Sequence, residues 1–282
     1  MRAPTDVPVT PPPEWRFRRK LHPAALFHEL WEARTLVRTL AEREVRIRYK
    51  QVVLGFAWAV VTPLVLMVAF TLFRKAARID SGPVPYPLFT FVALIPWTFF
   101  STSVAQGGLS LINNVPLLNK VYCPREVFPT ASVAVAGIDS IIATVVLGLL
   151  FLRYGFMPQP TTIWVPVILP IQIAFTLGVT LVVSAVMVYL RDLRHALPLV
   201  LQMGLFVTPV AFPLDVVPWK FRHAYVALNP LAAVIDSYRR TVLYGQPPAL
   251  SLLAIAGVSA VVVLAAGYAA FKRLETGIAD VA

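Results

Sequence analysis

Residues 52–73 read VVLGFAWAVVTPLVLMVAFTLF. These 22 residues carry no charge, with Arg46, Arg48 and Lys50 ahead of them and Arg74, Lys75 and Arg78 behind. A helix needs roughly 20 apolar residues to cross the ~30 Å hydrocarbon core of a bilayer, so this run is long enough to span one. The pattern repeats. Runs at 88–112, 163–190, 196–214 and 249–271 are also uncharged, and 127–152 is apolar apart from Asp139. Buried helices of soluble domains seldom come six in a row at this length. The sequence therefore predicts an all-α polytopic membrane protein with six transmembrane helices, five or seven being the alternatives. Composition agrees: 58% of the 282 residues are hydrophobic and 14% are charged, against about 25% charged in a soluble domain. A soluble globule must hydrate its surface, which excludes an ordinary cytoplasmic enzyme and a disordered basic tail. A single cysteine, Cys123, excludes a disulfide scaffold.

The net charge of +11 needs a separate reading. Six spans put both termini on one side. That side carries 17 Lys and Arg residues, 11 of them in residues 1–50, and the other side carries 8. Basic residues favour the cytoplasmic face, so both termini are expected there. Because the charges are spread along the edges of the spans, nucleic acid is excluded as a partner. The net charge is positive on both sides, and topology does not explain the excess on the outer one.

Ahead of the first span, residues 1–22 form a Pro-rich, basic arm expected to be disordered, with no signal-peptide core. Residues 23–50 read as an amphipathic interface helix, with Leu26, Leu30, Ala33, Val37 and Leu40 on one face. Residues 51–282 are read as the transmembrane domain. Pro96 and Pro209 are expected to kink or break their helices. The loop 113–129 is punctuated by proline yet holds Leu117, Leu118, Val121 and Tyr122, which suggests a short packed helix. The external segment 213–248 is too polar to span but rich in aromatic residues. Asn229-Pro230 has the form of an N-cap followed by proline at the first helical position. Leu231, Ile235, Tyr238 and Val242 then share one face, with Asp236, Arg239 and Arg240 elsewhere. Two short helices forming a re-entrant hairpin fit this pattern, and irregular backbone at membrane depth points to a pathway.

Several chemistries are missing. The chain has no Gly-Lys dipeptide and hence no P-loop, and no Gly-x-Ser-x-Gly elbow. His22, His28, His195 and His223 are scattered, so no metal site is expected. Asp139 is the sole acid within a span, which weakens a proton relay.

The sequence resembles the permeases of ABC-2-type polysaccharide exporters, those for O-antigen, capsule and teichoic acid. The resemblance runs from about residue 30 to the end. It rests on Arg46-Ile-Arg-Tyr-Lys-Gln-Val-Val-Leu-Gly-Phe-Ala-Trp58 with Pro63-Leu64, on Pro85-Tyr-Pro-Leu-Phe89 and on Leu94-Ile-Pro-Trp-Thr-Phe-Phe100. Asn119-Lys120, Cys123-Pro-Arg-Glu-Val-Phe-Pro129, Tyr189-Leu-Arg-Asp-Leu-Arg194, Asn229-Pro230 and Tyr238-Arg239 follow in order. Cys123 departs from the family's usual apolar residue.

The resemblance implies a homodimer with two ATP-binding cassette subunits that carry ATP and magnesium, this chain binding no cofactor and catalysing no hydrolysis. It implies a polyprenyl-diphosphate-linked glycan as substrate in the inner membrane of a bacterium. ATPase coupling would fall to Glu32, Arg38, Leu117, Leu118, Lys120, Arg125 and Glu126. Tyr86, Trp97, Phe99, Phe100, Trp219, Tyr225, Tyr238 and Arg239 would line the channel and gate. Arg46, Arg48, Lys50, Arg191 and Arg194 are candidates for the lipid diphosphate, although each also serves positive-inside topology, and membrane lipid is itself a partner. Three rivals remain: a small-lipid or drug exporter, a membrane enzyme acting on polyprenyl-linked sugars, and a proton-coupled transporter. The last two lack the clustered acids, histidines or internal repeats they need.

Overall fold

The computed structural model describes residues 31, 33–50, 57–76, 84–118, 124–190 and 192–281, with side chains at all of these except 48–50, 57, 118 and 276–281. The arm 1–22, the start of the lead-in helix, Glu32, Lys120 and Arg191 lie outside the described residues. So do the side chains of Arg48, Lys50 and Leu118.

The regular structure among the described residues is helical, with no strand. The helices are α1 (Arg34–Lys50), α2 (Ala57–Ala76), α3 (Tyr86–Asn113), the single turn α4 (Val115–Leu118), α5 (Val127–Tyr154), α6 (Val165–Tyr189), α7 (Leu193–Val207), α8 (Trp219–Leu228), α9 (Pro230–Val242) and α10 (Leu250–Val281). Short 3-10 turns at Pro160–Trp164 and Leu214–Val216 precede α6 and α8.

Local chemistry sets the boundaries. Proline stands in the first turn of α3, α6 and α9, where its missing N–H is unneeded and its fixed φ suits the helix. Gly155 ends α5 in the left-handed region at φ 61, and Phe156 N–H reaches back to the Phe151 carbonyl at 2.9 Å.

Among the described residues, five helices are long and apolar enough to cross a membrane: Trp58–Ala76, Tyr86–Asn113, Val127–Tyr154, Pro160–Tyr189 and Leu250–Glu275. The expected span at 196–214 differs. It forms the 15-residue α7, which at 1.5 Å per residue reaches about 22 Å. Pro209 is the reason, because it offers no N–H and pushes the preceding residue out of the α region. Thr208 is extended accordingly, with ψ 141°, and the backbone stays non-helical through 208–213. At Pro96 the expected break does not occur, and α3 is helical from Tyr86 to Asn113.

α3 is the centre of the bundle, packing on α2, α5, α6, α7 and α9. α6 pairs with α10 along much of its length. They meet at Gly178 and Gly267. A Cβ on Gly267 would lie 2.4 Å from the Gly178 carbonyl oxygen, and one on Gly178 would lie 2.7 Å from Leu264 Cα. Small residues let membrane helices approach backbone to backbone, which is where their packing energy comes from. α2 lies at the edge. Only Pro63 and Met67 of its described side chains are buried, and Trp58, Val65, Val68, Leu72 and Phe73 are exposed. Along α1, Leu40 and Ala41 sink into a cluster with Phe128, Ala131 and Val135 of α5, so this part of the expected apolar stripe packs on the chain's own bundle.

Gly267→Ala should push α6 and α10 apart and lower stability by about 1–3 kcal/mol, the usual cost of overpacking. Gly148→Ala has nothing within 4 Å of the new methyl and should not lower it. Thermal unfolding of the purified protein in detergent compares the two.

Candidate functional site

One face of α3 carries polar side chains along its second half. Thr98, Ser101, Thr102, Gln106 and Asn113 recur at helical spacing, and 15 residues of helix cover about 22 Å. Two cavities lie along this face. One, of about 470 Å³ between α2, α3 and α5, is lined by Thr62, Thr98, Ser101, Thr102, Asp139 and Ser140, with Trp58, Trp97 and Phe99 as aromatic walls. The other, of about 440 Å³ beside α1, is lined by Arg43, Glu44, Ser110, Asn113, Asn114 and Ser132. Gln106 lines both and joins them. The Thr98 hydroxyl donates to the Leu94 carbonyl at 2.8 Å and that of Ser140 to the Ala136 carbonyl at 3.0 Å. With those protons held by their own helices, the two oxygens keep lone pairs for a hydrogen-bond donor in the cavity.

The α1 end of the bundle is tied by polar contacts. Arg43 Nη2 donates to Asn114 Oδ1 at 2.9 Å, and Asn114 Nδ2 to the Ser110 carbonyl at 2.8 Å. The Ser132 hydroxyl donates to Glu44 Oε2 at 3.2 Å. Glu126 is fully buried, and Lys272 Nζ donates to its two carboxylate oxygens at 2.9 and 3.0 Å.

The opposite end is organised by α8 and α9, the two short helices of segment 213–248, joined at Asn229. Here the chain after α7 would leave carbonyls unsatisfied, and side chains supply the donors. Arg239 is only 2% exposed. Its Nε donates to the Phe89 carbonyl at 3.1 Å, Nη1 to those of Pro209 at 2.7 Å and Phe212 at 3.0 Å, and Nη2 to that of Val210. The guanidinium also lies 3.5 Å from the centre of the Phe89 ring, a cation–π contact. Burial pulls the Arg239 pKa down to about 9, which leaves it cationic at neutral pH. The Tyr86 hydroxyl donates to the Ala211 carbonyl at 2.9 Å, and that of Tyr225 to Val207. Asn229 does not cap α9 with its side chain. Its Nδ2 donates to Thr208 Oγ1 at 2.9 Å instead. The carboxyl of Asp236 is raised by burial and bonded to Arg240 Nε at 3.0 Å.

The residues singled out from sequence therefore scatter. Trp97 and Phe99 face the larger cavity. Phe100 stacks on Phe175 at 5.6 Å, and Tyr238 donates to buried Gln172 at 2.9 Å. Tyr86, Tyr225 and Arg239 hold the 207–212 backbone, and Trp219 is 73% exposed. The sequence placed Arg239 off the apolar face of α9, yet it is buried in the network. Arg46 lines a groove between α1 and α5, Arg194 is exposed, and Arg38 is exposed with an i,i+4 ion pair to Glu42. Leu117 is half-buried and Glu126 wholly so. The polar stripe of α3 escaped notice because hydroxyls and one amide do not interrupt an uncharged run. Its spacing of three and four was the available signal.

Long apolar helices, one of which carries a run of polar side chains, define a polytopic membrane protein. The chain belongs to the ABC-2 type transporter family, whose sequence profile matches residues 35–243. It is 34% identical over 253 residues to the O-antigen export system permease protein RfbA of Myxococcus xanthus, covering 89% of this chain and 96% of that one. It is 29% identical over 251 residues to the RfbA permease of Klebsiella pneumoniae, covering 87% and 94%. It is 26% identical over 214 residues to the polysialic acid transport protein KpsM of Escherichia coli, covering 74% and 81%.

Arg239→Gln should cost about 2–4 kcal/mol, because hydrogen bonds to a charged group contribute about 1.5–3 kcal/mol and several are lost together. Arg240→Gln breaks only a partly exposed pair and should cost under about 1 kcal/mol. Denaturation midpoints of the two purified variants test the contrast.

Proposed function

We propose that the chain is the membrane subunit of an ATP-driven exporter that moves a lipid-linked polysaccharide out across the bacterial cytoplasmic membrane. The observation that carries this reading is the set of hydroxyl and amide side chains that the 98–113 half of α3 presents to two cavities. A sugar polymer offers hydroxyl donors and acceptors and flat C–H faces, which match Thr98, Ser101, Thr102 and Gln106 with Trp58 and Trp97 beside them. The family membership and the relatives named as O-antigen export permeases support the same reading.

A polar face cannot be left against hydrocarbon, so a second copy covers it and the two faces enclose the channel. The sparsely buried α2 supports that arrangement. Two ATP-binding cassette subunits dock at the α1 end, which is cytoplasmic with both termini, and they hold the ATP and magnesium. There Glu32, Arg38, Leu117, Leu118 and Lys120 meet them. Arg46, Arg48, Lys50, Arg191 and Arg194 receive the diphosphate of the polyprenyl carrier. α7 makes the sixth crossing together with the non-helical 208–213, and α8 and α9 form the external gate.

Deleting the gene should leave lipid-linked polymer inside the cytoplasmic membrane while surface polymer disappears, as read by fractionation and glycan staining. Normal surface polymer would overturn the assignment. Restoring the gene with Gln106→Leu should give wild-type protein levels but export reduced by at least about tenfold, equivalent to 1.4 kcal/mol on the barrier. Export at the wild-type rate would remove the α3 face from the pathway.

A further inference from the structure

Three sets of contacts on α10 belong together. At its α1 end, Lys272 Nζ holds both oxygens of Glu126 at 2.9 and 3.0 Å and lies 3.2 Å from Glu275 Oε2. Arg125 Nη1 donates to the Glu275 carbonyl, and the Tyr189 hydroxyl to the Leu274 carbonyl at 2.6 Å. In its middle, Gly267 touches the backbone of Gly178 on α6. At its far end, Leu252 and Ala256 pack with Val226 of α8 and Ala232 and Ala233 of α9, and the Ser259 hydroxyl donates to the Ala227 carbonyl at 2.7 Å. One helix of 32 residues, about 48 Å at 1.5 Å per residue, is thus bonded to the loop before α5 at one end and to the paired short helices at the other.

The ion pair between Lys272 and Glu126 is the component that packing does not explain. Burying a carboxylate and an ammonium together is expensive, and apolar side chains of similar size commonly serve stability as well or better. Such a pair does give fixed geometry. Both carboxylate oxygens are engaged, and pulling the partners apart would strand a charge in a dry site, so the loop and the helix move together or not at all. Packing at Gly178 and Gly267 makes α6 and α10 a stiff unit over the intervening length, since close-packed helices transmit displacement rather than absorb it.

We infer that Lys272 is a positioning residue for export: through Glu126 it fastens the loop before α5 to α10, so that α10 carries displacement of that loop to α8 and α9 on the far side. This rests on the reading above that the loop faces the ATPase and the short helices form the gate. Glu126, with no exposed side-chain surface, acts from inside the protein and not by touching the partner.

The test uses the full permease with its ATPase subunits in proteoliposomes, reading glycan export per ATP hydrolysed, so that loss of protein and loss of coupling are separated. Glu126→Gln keeps the shape, and Lys272 keeps Glu275 as counter-ion. It should assemble and hydrolyse ATP as wild type does while export per ATP falls by about tenfold or more. Exchanging the partners, Glu126→Lys with Lys272→Glu, should recover most of it. Wild-type export per ATP in Glu126→Gln overturns the inference, as does an exchanged pair that assembles fully but does not recover. If Glu126→Gln fails to assemble, Lys272→Arg and Lys272→Gln decide. Coupling retained by arginine and lost by glutamine supports the role. Failure of both single neutral variants to assemble assigns the pair to stability alone and overturns it. A wild-type complex that assembles but exports no glycan would instead overturn the export reading itself.

Discussion

Backbone amides and carbonyls find no water in the hydrocarbon core of a bilayer, and each one left unsatisfied there costs several kcal/mol. Helices meet that requirement within themselves, so the long segments are α-helical whatever their intrinsic propensities. The requirement becomes visible where a helix stops. Pro209 ends α7, and the carbonyls of residues 207 and 209–212 need donors from elsewhere. Tyr86, Tyr225 and Arg239 supply them, while Asn229 holds the Thr208 hydroxyl. These residues come from α3, α8 and α9, so satisfying one short stretch of backbone also fixes how three other elements meet.

The same constraint governs the polar face of α3. Seventeen of its residues are buried, among them Leu88, Phe91, Leu94 and Leu111, which pack it against α5, α6 and α9. Of the eleven left over, five bear hydroxyls or amides: Thr98, Ser101, Thr102, Gln106 and Asn113. A helix can afford such a face in a membrane only where water, protein or a polar ligand meets it, because the alternative is contact with lipid tails. Central packing on one side and polar chemistry on the other make α3 both scaffold and wall.

The spans were legible because crossing a bilayer sets a minimum length, and uncharged runs of 22–28 residues have few other uses. The exception, 196–214, shows what a run length omits: hydropathy continues through Pro209 although the helix does not. The joint at Asn229-Pro230 was legible from residue preference, but the Asn229 side chain was spent on Thr208, which no local pattern foretells. Arg239 was misplaced for a similar reason. On a short amphipathic helix a charge is expected in solvent, and only the tertiary structure brings it four carbonyls. Lys272 counted as one more cytoplasmic charge, and its partner lies 146 residues away, beyond the reach of any spacing argument.

At the end opposite α1, several basic residues are engaged by the protein itself. Arg239 is used by carbonyls, and Arg240 is paired with Asp236. Arg222 lies 3.1 Å from Asp215 and also donates to the Val217 carbonyl, and Arg74 lies over the Tyr86 ring at 4.2 Å. Of these, Arg239 ties α9 to Phe89 of α3 and to the 209–212 backbone, while the others are engaged within their own segment or with a neighbouring helix. At the other end the polar contacts include a buried ion pair between distant segments, an arrangement that fixes the geometry of the two elements it joins. The two ends thus use charge differently: one to complete the backbone after α7, the other to join segments far apart in sequence.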